Sequence, residues 1–196
     1  MSKVPWWALA SATAAPVLLG GGLVLAEARQ PPGYSAVRDT ISALAGLGAT
    51  DRWVMTGALA GLGASHVVTA VGLRPVRLPG RLVLAAGGFG TLAVAAYPQP
   101  VRGNSVAHTI AATVSFVALG SWPAFTARRA SRAPLLSVPI SAAATVALLA
   151  LVLSFVVELH QGQRGLAERA AAGAEALWPL AIVVTTRRAL ARESPS

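Results

Sequence analysis

The sequence has no cysteine and few charged residues. The absence of cysteine excludes disulfides, thiolate metal sites and cysteine nucleophiles. Only 12% of the residues are charged and 6% are aromatic, whereas soluble domains carry about 25% charged residues. The chain is instead 55% hydrophobic, with a mean hydropathy of +0.62. This balance excludes an ordinary soluble domain and indicates a protein whose solvent is lipid.

Long apolar runs divide the chain into membrane-spanning candidates. A helix needs roughly 20 apolar residues to cross about 30 Å of hydrocarbon. Six segments meet this requirement, and the connections between them are too short for a separate soluble domain. The sequence therefore predicts an all-α fold, an integral membrane bundle of six transmembrane helices in one domain, residues 1–196. The predicted spans cover residues 5–27, 53–73, 82–97, 106–126, 135–157 and 170–186.

Basic residues alternate between the connections in a way that predicts orientation. Ten fall in the tails and loops of one face and six in those of the other. Six of the seven acids belong to the second face, so the first carries the whole net charge of +9. By the positive-inside rule, both termini should be cytoplasmic. The ten are Lys3, Arg74, Arg77, Arg81, Arg128, Arg129, Arg132, Arg187, Arg188 and Arg192, and Glu193 is the one acid among them.

Two further expectations concern partners and origin. The basic residues form short clusters between apolar runs and not one face with interleaved aromatics, so we expect no nucleic-acid partner. An alanine-rich composition with a single lysine suggests a GC-rich bacterial source and hence the cytoplasmic membrane.

Lys3, the first apolar run and Ala26-Glu27-Ala28 together resemble a signal peptide. We favour a retained membrane anchor, because this apolar run is longer than the apolar core of a usual signal peptide.

The densest polar stretch, residues 33–46, follows the first span and is called the signature segment. Val37, Ile41 and Leu44 lie at helical spacing and predict a short amphipathic helix over residues 35–45 in the first outer loop. Its polar face would carry Arg38, Asp39 and Ser42 toward a cavity, and Tyr34 suits the interface. The alternative is a connector with a local Arg–Asp pair.

A carboxylate within a span needs a reason, because charge in hydrocarbon is expensive. Glu175 is the clearest case, with Glu168 on the same helix face and Trp178 near it. We interpret Glu175 either as a partly buried functional acid or as a carboxylate paired with Arg169 or Arg38.

The three histidines separate by depth. His108 begins the fourth span, and Ser115 and Trp122 continue its face at spacings of seven. His160 and Glu158 close the fifth span on the same side, whereas His66 lies about 20 Å deeper in the second. His108 with His160 and a carboxylate leaves a metal site open. We nevertheless expect no metal and no cofactor.

The motif Tyr34-Ser35-x-x-Arg38-Asp39-x-Ile41-Ser42-x-Leu44-x-Gly46, followed by Trp53, Tyr97-Pro98 and His108, resembles a known family. It is the bacterial membrane family catalogued as domain-of-unknown-function 998. The resemblance covers nearly the whole chain and implies six spans, but no activity. Its signature would comprise Tyr34, Asp39, Ser42 and His108.

These features favour an outward-facing polar pocket that binds a membrane lipid or another small hydrophobic amphiphile. The alternative is an intramembrane enzyme, in which Asp39, Ser42 and His108 hydrolyse or transfer an acyl group. In a second enzymatic version, Glu175 or Asp39 protonates an isoprenoid beside Trp122 and Trp178. A transporter, a homo-oligomer and a subunit of a membrane complex stay open. The candidate catalytic residues are Asp39, His108 and Glu175, and the candidate ligand-binding residues are Tyr34, Arg38, Ser42, Ser115, Trp122, Glu158 and Trp178.

Overall fold

A computed structural model describes residues 3–129 and 133–192. In this part of the chain the secondary structure is helical, with one isolated bridge between Arg128 and Ser137 and no strand. Arg132 and Glu193, both used for the orientation prediction, lie outside the described residues. The helices are α1 (Trp6–Glu27), α2 (Ile41–Leu44), α3 (Trp53–Gly72), α4 (Leu78–Ala96), α5 (Val106–Thr126), α6 (Val138–Glu158) and α7 (Arg164–Ala191), with a 3₁₀ turn at Pro134–Leu136.

Five helices of the described chain, α1, α3, α4, α5 and α6, are long and apolar enough to cross a membrane. The sixth predicted span lies within α7, whose 28 residues begin six positions before the predicted apolar segment. α7 is not among these five, since its charged residues make it much less apolar than the other long helices. The all-helical prediction is confirmed, together with the membrane character of five spans.

The predicted amphipathic helix over residues 35–45 is much shorter in the structure. α2 covers only Ile41–Leu44, and Thr40, in an extended conformation, caps it by accepting a hydrogen bond from the Ala43 amide. Residues before it form a single turn, in which the Ser35 carbonyl accepts hydrogen bonds from the Arg38 and Asp39 amides and the Asp39 carboxylate accepts one from the Ser35 amide at 2.8 Å. Local bonds between a side chain and the backbone compete with helix formation.

Close backbone contact holds α3 against α4. A Cβ at Gly63 would lie 2.6 Å from the Gly88 carbonyl oxygen, and one at Gly88 would lie 2.7 Å from that of Gly63. Small residues allow such an approach where lipid supplies no hydrophobic drive between helices. Elsewhere on α3, a Cβ at Gly61 would meet Leu18 of α1, whereas one at Gly57 would meet no described atom of another helix within 4 Å.

Loop contacts define two ends of the bundle. The signature end contains the α1–α3, α4–α5 and α6–α7 connections, and the Leu47 amide there donates to the Gln99 carbonyl. The arginine end contains the described parts of the other two connections and of the two tails. There Arg128 donates to the Pro75 carbonyl and Arg187 to the Val4 carbonyl. Each half has its own apolar cluster, one around Leu19, Ile41 and Met55, the other around Leu84, Trp122 and Ile182.

Candidate functional site

Arg169 organises the signature end. Its guanidinium donates to Glu27 Oε1 at 2.7 and 3.0 Å, joining α7 to the end of α1. It also donates to the Asp39 and Gly165 carbonyls and to the Tyr34 hydroxyl. Only 14% of the Arg169 side chain is exposed. One mostly buried cation therefore fixes the signature segment onto two helices, through backbone as well as side-chain acceptors.

Tyr34 belongs to this network. Burial raises the pKa of its phenol to about 12, and the nearby Arg169 guanidinium opposes that shift. Its hydroxyl therefore stays protonated at neutral pH and acts as a hydrogen-bonding group.

Glu168 holds the start of α2 through two hydrogen bonds. Its carboxylate accepts hydrogen bonds from the Ile41 amide at 2.5 Å and from the Ser42 hydroxyl at 3.1 Å, and only 2% of the residue is exposed. It precedes the predicted apolar segment, residues 170–186. Burial raises the pKa of Glu168 to about 7, although both hydrogen bonds and Arg169 act to lower it. The carboxyl is therefore divided between its two protonation states near neutral pH.

The largest cavity described here, the signature cavity, has a volume of about 620 Å³ and lies between α5, α6, α2 and the start of α7. Polar side chains line it near the signature end, and an apolar wall continues deeper along α5 and α6. The polar group consists of Asp39, Thr40, Ser42, Gln99, Asn104, His108, Thr109, Thr113, His160, Arg164 and Glu168. The apolar wall consists of Ala112, Phe116, Val117, Val152, Phe155, Val156 and Leu159, and Ala43 completes the lining.

His108 has a defined tautomer in this cavity. Its Nδ1 lies 2.8 Å from the Tyr97 carbonyl oxygen, which can only accept, so Nδ1 carries the proton. The other nitrogen, Nε2, is then an acceptor in the neutral ring. Ser105 caps α5 by accepting a hydrogen bond from the His108 amide, which positions the ring at the first turn.

A second, smaller cavity of about 40 Å³, the inner cavity, lies between α1, α2, α3, α4, α5 and α7. Its lining includes His66, Glu175, Ser115, Thr91, Glu168 and Ser42. Glu168, Ser42, Ala112 and Phe116 line both cavities. The deep histidine and the deep carboxylate therefore share one space, which begins where the signature cavity ends.

The structure divides the candidate residues among five places. Asp39, Ser42 and His108 line the signature cavity, while Glu175 and Ser115 line the inner one. In the signature segment, the Tyr34 hydroxyl accepts from Arg169 of α7 and Arg38 donates to the Gly33 carbonyl, while Glu158 accepts from the Gln163 amide in the α6–α7 turn. Trp122 and Trp178 pack in the apolar cluster at the arginine end and are absent from the lining of both cavities.

Predicted roles also change with these positions. The Asp39 carboxylate is engaged by the Ser35 amide, and the Ser42 hydroxyl donates to Glu168 and not to a histidine. Glu175, interpreted as a partner of Arg169 or Arg38 in one reading, has an Oε1 without a hydrogen-bond partner among the described residues. Arg169 pairs with Glu27 instead.

Sequence reasoning left Glu168, Arg169, His66 and the polar side chains of the α4–α5 loop outside the candidate set. A signal for the first two was present, since an adjacent acid and base directly precede an apolar segment. Among the described residues, no cluster of three His, Asp or Glu side chains has the arrangement of a metal site.

Apolar helices of membrane-crossing length, packed through small residues, define a multi-pass helical membrane protein. The particular family follows from the sequence match: the chain belongs to the family described as Protein of unknown function (DUF998), whose profile matches residues 6–185. This confirms the resemblance drawn from the signature segment. No curated protein and no solved structure matches the chain.

Proposed function

We propose that this protein binds a membrane lipid or a similar amphiphile in the signature cavity. The observation that carries the proposal is the division of the cavity wall, with polar side chains at the signature end and an apolar surface between α5 and α6. A volume of about 620 Å³ falls within the roughly 300–1,000 Å³ range of small-molecule sites. A polar head group would lie beside His108, Asn104 and Arg164, and its chain beside Phe116, Val152 and Phe155.

Lateral access through α6 supports a ligand that arrives from the bilayer. α6 is the most apolar helix and the least buried of the five apolar ones, and Leu153, Val156 and Val157 on it are exposed. Phe155 of α6 packs against Phe116 of α5 with ring centroids 5.5 Å apart, which forms part of the cavity wall. An amphiphile moving between these helices would not cross the polar loops.

The orientation that goes with this function has six spans, with residues 170–186 of α7 as the sixth. The 28 residues of α7 extend about 42 Å, and the helix packs between α1 and α6. The signature end would face outward and both termini the cytoplasm of a bacterial cell, as the basic residues at the arginine end favour. Because the chain has no cysteine, Gly162→Cys and Arg77→Cys each introduce a single thiol. A membrane-impermeant maleimide should label Gly162→Cys in intact cells and Arg77→Cys only after permeabilisation; the reverse pattern would refute this orientation.

Filling the cavity tests the binding proposal. Val152→Trp places an indole in the apolar wall, whereas Leu153→Trp adds the same group at an exposed neighbouring position outside the cavity lining. After purification into phosphatidylglycerol nanodiscs, bound amphiphile is extracted and quantified by mass spectrometry. Wild type and Leu153→Trp should retain equal amounts of a species that is absent from empty nanodiscs, and Val152→Trp should lose most of it. Equal retention by all three, or no retained species, would contradict the proposal.

The second candidate is an enzyme that hydrolyses or transfers an acyl group of such a lipid. It is favoured by the presence of Ser42, His108 and two carboxylates around one cavity, with His108 Nε2 left as an acceptor. Incubating the protein with phosphatidylglycerol vesicles distinguishes the two functions. An enzyme would release fatty acid or lysolipid in a manner lost in Ser42→Ala and His108→Gln, whereas a binding protein would return the lipid unchanged.

A further inference from the structure

The inner cavity contains polar groups that the binding proposal does not use. Six helices line it, and its ionisable side chains are His66 from α3 and Glu168 and Glu175 from α7. The described residues that line it from α1, α2, α4 and α5 carry no ionisable group. No arginine or lysine is part of this lining.

Two of these side chains are deeply buried without hydrogen bonds. His66 is 1% exposed and Glu175 is 2% exposed. Both ring nitrogens of His66 and Oε1 of Glu175 have no partner among the described residues. Buried polar groups are normally satisfied by protein or by ordered water, so these three atoms require an explanation.

Ordered water in a cavity of this kind would supply the missing partners. A volume of about 40 Å³ leaves room for about two or three water molecules. The hydroxyls on the opposite wall are suited to hold them. Thr91 Oγ1 donates to the Gly87 carbonyl and therefore accepts from Ser115, which leaves lone pairs on the Ser115 hydroxyl for a water proton.

This small space is adjacent to the signature cavity. Glu168 and Ser42 line both cavities, and the Ser42 hydroxyl donates to the Glu168 carboxyl between them. A carboxyl that exchanges one proton at this position would connect the two spaces without any movement of the backbone.

We propose that the inner cavity is a hydrated proton-binding site, in which Glu175 holds an exchangeable proton that it shares through water with His66. Protons enter from the signature cavity past Glu168 and Ser42. Since no cation lines the cavity, the neutral carboxylic acid is the form of Glu175 that hydrocarbon surroundings favour. In each transfer an O–H bond of Glu175 breaks as water takes the proton, and the same water gives one proton to a ring nitrogen of His66. The site does not require an amphiphile in the signature cavity.

Infrared spectroscopy of the full chain in phosphatidylglycerol vesicles tests the proposal. The spectrum is recorded well above the pKa of about 7 of Glu168, so that this carboxyl is mainly ionised. Wild type should show the carbonyl stretch of a protonated carboxylic acid, and that band should shift after transfer to D₂O. It should be lost in Glu175→Gln and kept in Glu158→Gln, which removes a carboxylate of the α6–α7 turn.

Three results would overturn the site: no such band in wild type, a band unchanged in Glu175→Gln, or a band that does not shift in D₂O. If Glu175→Gln does not assemble, Glu175→Asp replaces it as the test variant. Glu175→Asp should move the band to a new frequency, and a band that does not move would also contradict the proposal. His66→Gln should also shift the frequency, because it changes the group that shares the water.

The route past Glu168 is measured separately. Glu168→Leu keeps the bulk of the side chain but removes the exchanging carboxyl, and hydrogen–deuterium exchange of the Glu175 band should slow by about tenfold or more. Leu153→Trp, which changes only an exposed position on α6, serves as the control. An exchange rate in Glu168→Leu equal to that of the control would eliminate this route.

Discussion

Arg169 and Glu175 lie six residues, or about 9 Å, apart on α7, yet their surroundings are opposite. The Arg169 guanidinium makes hydrogen bonds to four residues, two of them through backbone carbonyls. The Glu175 carboxyl has an oxygen with no partner in the described chain and faces a small cavity with His66. Both side chains are mostly buried.

This difference separates residues that shape the site from residues available to a ligand. Side chains of the signature segment, above all Tyr34 and Asp39, are engaged in holding their own loop. Groups with unused hydrogen-bonding capacity lie around the two cavities, at His108 in the larger and at His66 and Glu175 in the smaller. Substitutions of side chains that hold the signature segment should mainly affect stability. Substitutions of the groups around the cavities should mainly affect ligand or proton binding.

The largest effect is expected from Arg169→Ala. It removes all these hydrogen bonds and leaves the Glu27 carboxylate, 28% exposed, without its cation. Breaking a mostly buried pair costs about 3–5 kcal/mol, and we expect a loss of that size in the free energy of unfolding measured by SDS titration in mixed micelles. Arg164→Ala, which loses one exposed hydrogen bond to the Arg38 carbonyl, should cost less than about 1 kcal/mol. Equal losses would contradict the central role of Arg169.

A pH dependence is expected from Glu168. Its folded-state pKa of about 7 lies above the ordinary value of 4.5, so the folded protein holds a proton that the unfolded chain releases between these values. The stabilising contribution is complete below pH 4.5 and is lost as the pH rises through about 7, by about 3 kcal/mol in all.

Comparing wild type with Glu168→Gln isolates this contribution, because glutamine resembles the protonated carboxyl and does not titrate. As the pH is raised from about 5 to about 8, the unfolding free energy of wild type should fall relative to that of Glu168→Gln. A difference that stays constant across this interval would show that Glu168 does not titrate there.

A smaller effect should follow from Gly165→Ala. A Cβ at this position would overlap the Asp39 and Ala36 carbonyls, which are backbone atoms that cannot turn away. We expect a loss of about 1–3 kcal/mol, as for other overpacked sites. Gly173→Ala, eight residues along the same helix, meets no described atom within 4 Å and should be neutral or slightly stabilising. If both variants behave alike, the signature segment does not rest on α7 as described.

The smallest effect is expected from Glu175→Gln, which keeps the volume of the side chain and removes no hydrogen bond of the unpaired Oε1. The unfolding free energy should stay within about 1 kcal/mol of wild type. A loss comparable with that of Arg169→Ala would break the comparison, since it would mean that Glu175 has a structural partner as strong as Glu27.

Helix positions were largely predictable from apolar run length. α1 and α5 agree with their predicted spans within a residue, and α3 begins at Trp53 as expected. α7 was harder, because its charged first turns hide the start of a helix that continues for 28 residues. The α2 prediction failed over residues 35–40, since periodicity does not report that the Asp39 carboxylate will bind the Ser35 amide.

The candidate site was predicted only in part. His108, Ser42 and Asp39 were selected for their place at one end of the chain's spans, and they do line one cavity. The separation of Ser115 and Glu175 into another cavity could not be derived from spacing, because it depends on how six helices rotate against each other.

The sequence by itself determined membrane character, the family, and the placement of polar loops at two ends, since these depend on local composition and on the length of apolar runs. Only the tertiary structure decided which polar groups are paired. Glu168 meets Ile41 across 127 positions and Arg169 meets Glu27 across 142, and no periodicity encodes contacts at that separation. The physical reason is that a buried charge takes whichever partner the helix packing brings within hydrogen-bond distance. Packing gave Arg169 a full set of partners and left Glu175 with a cavity.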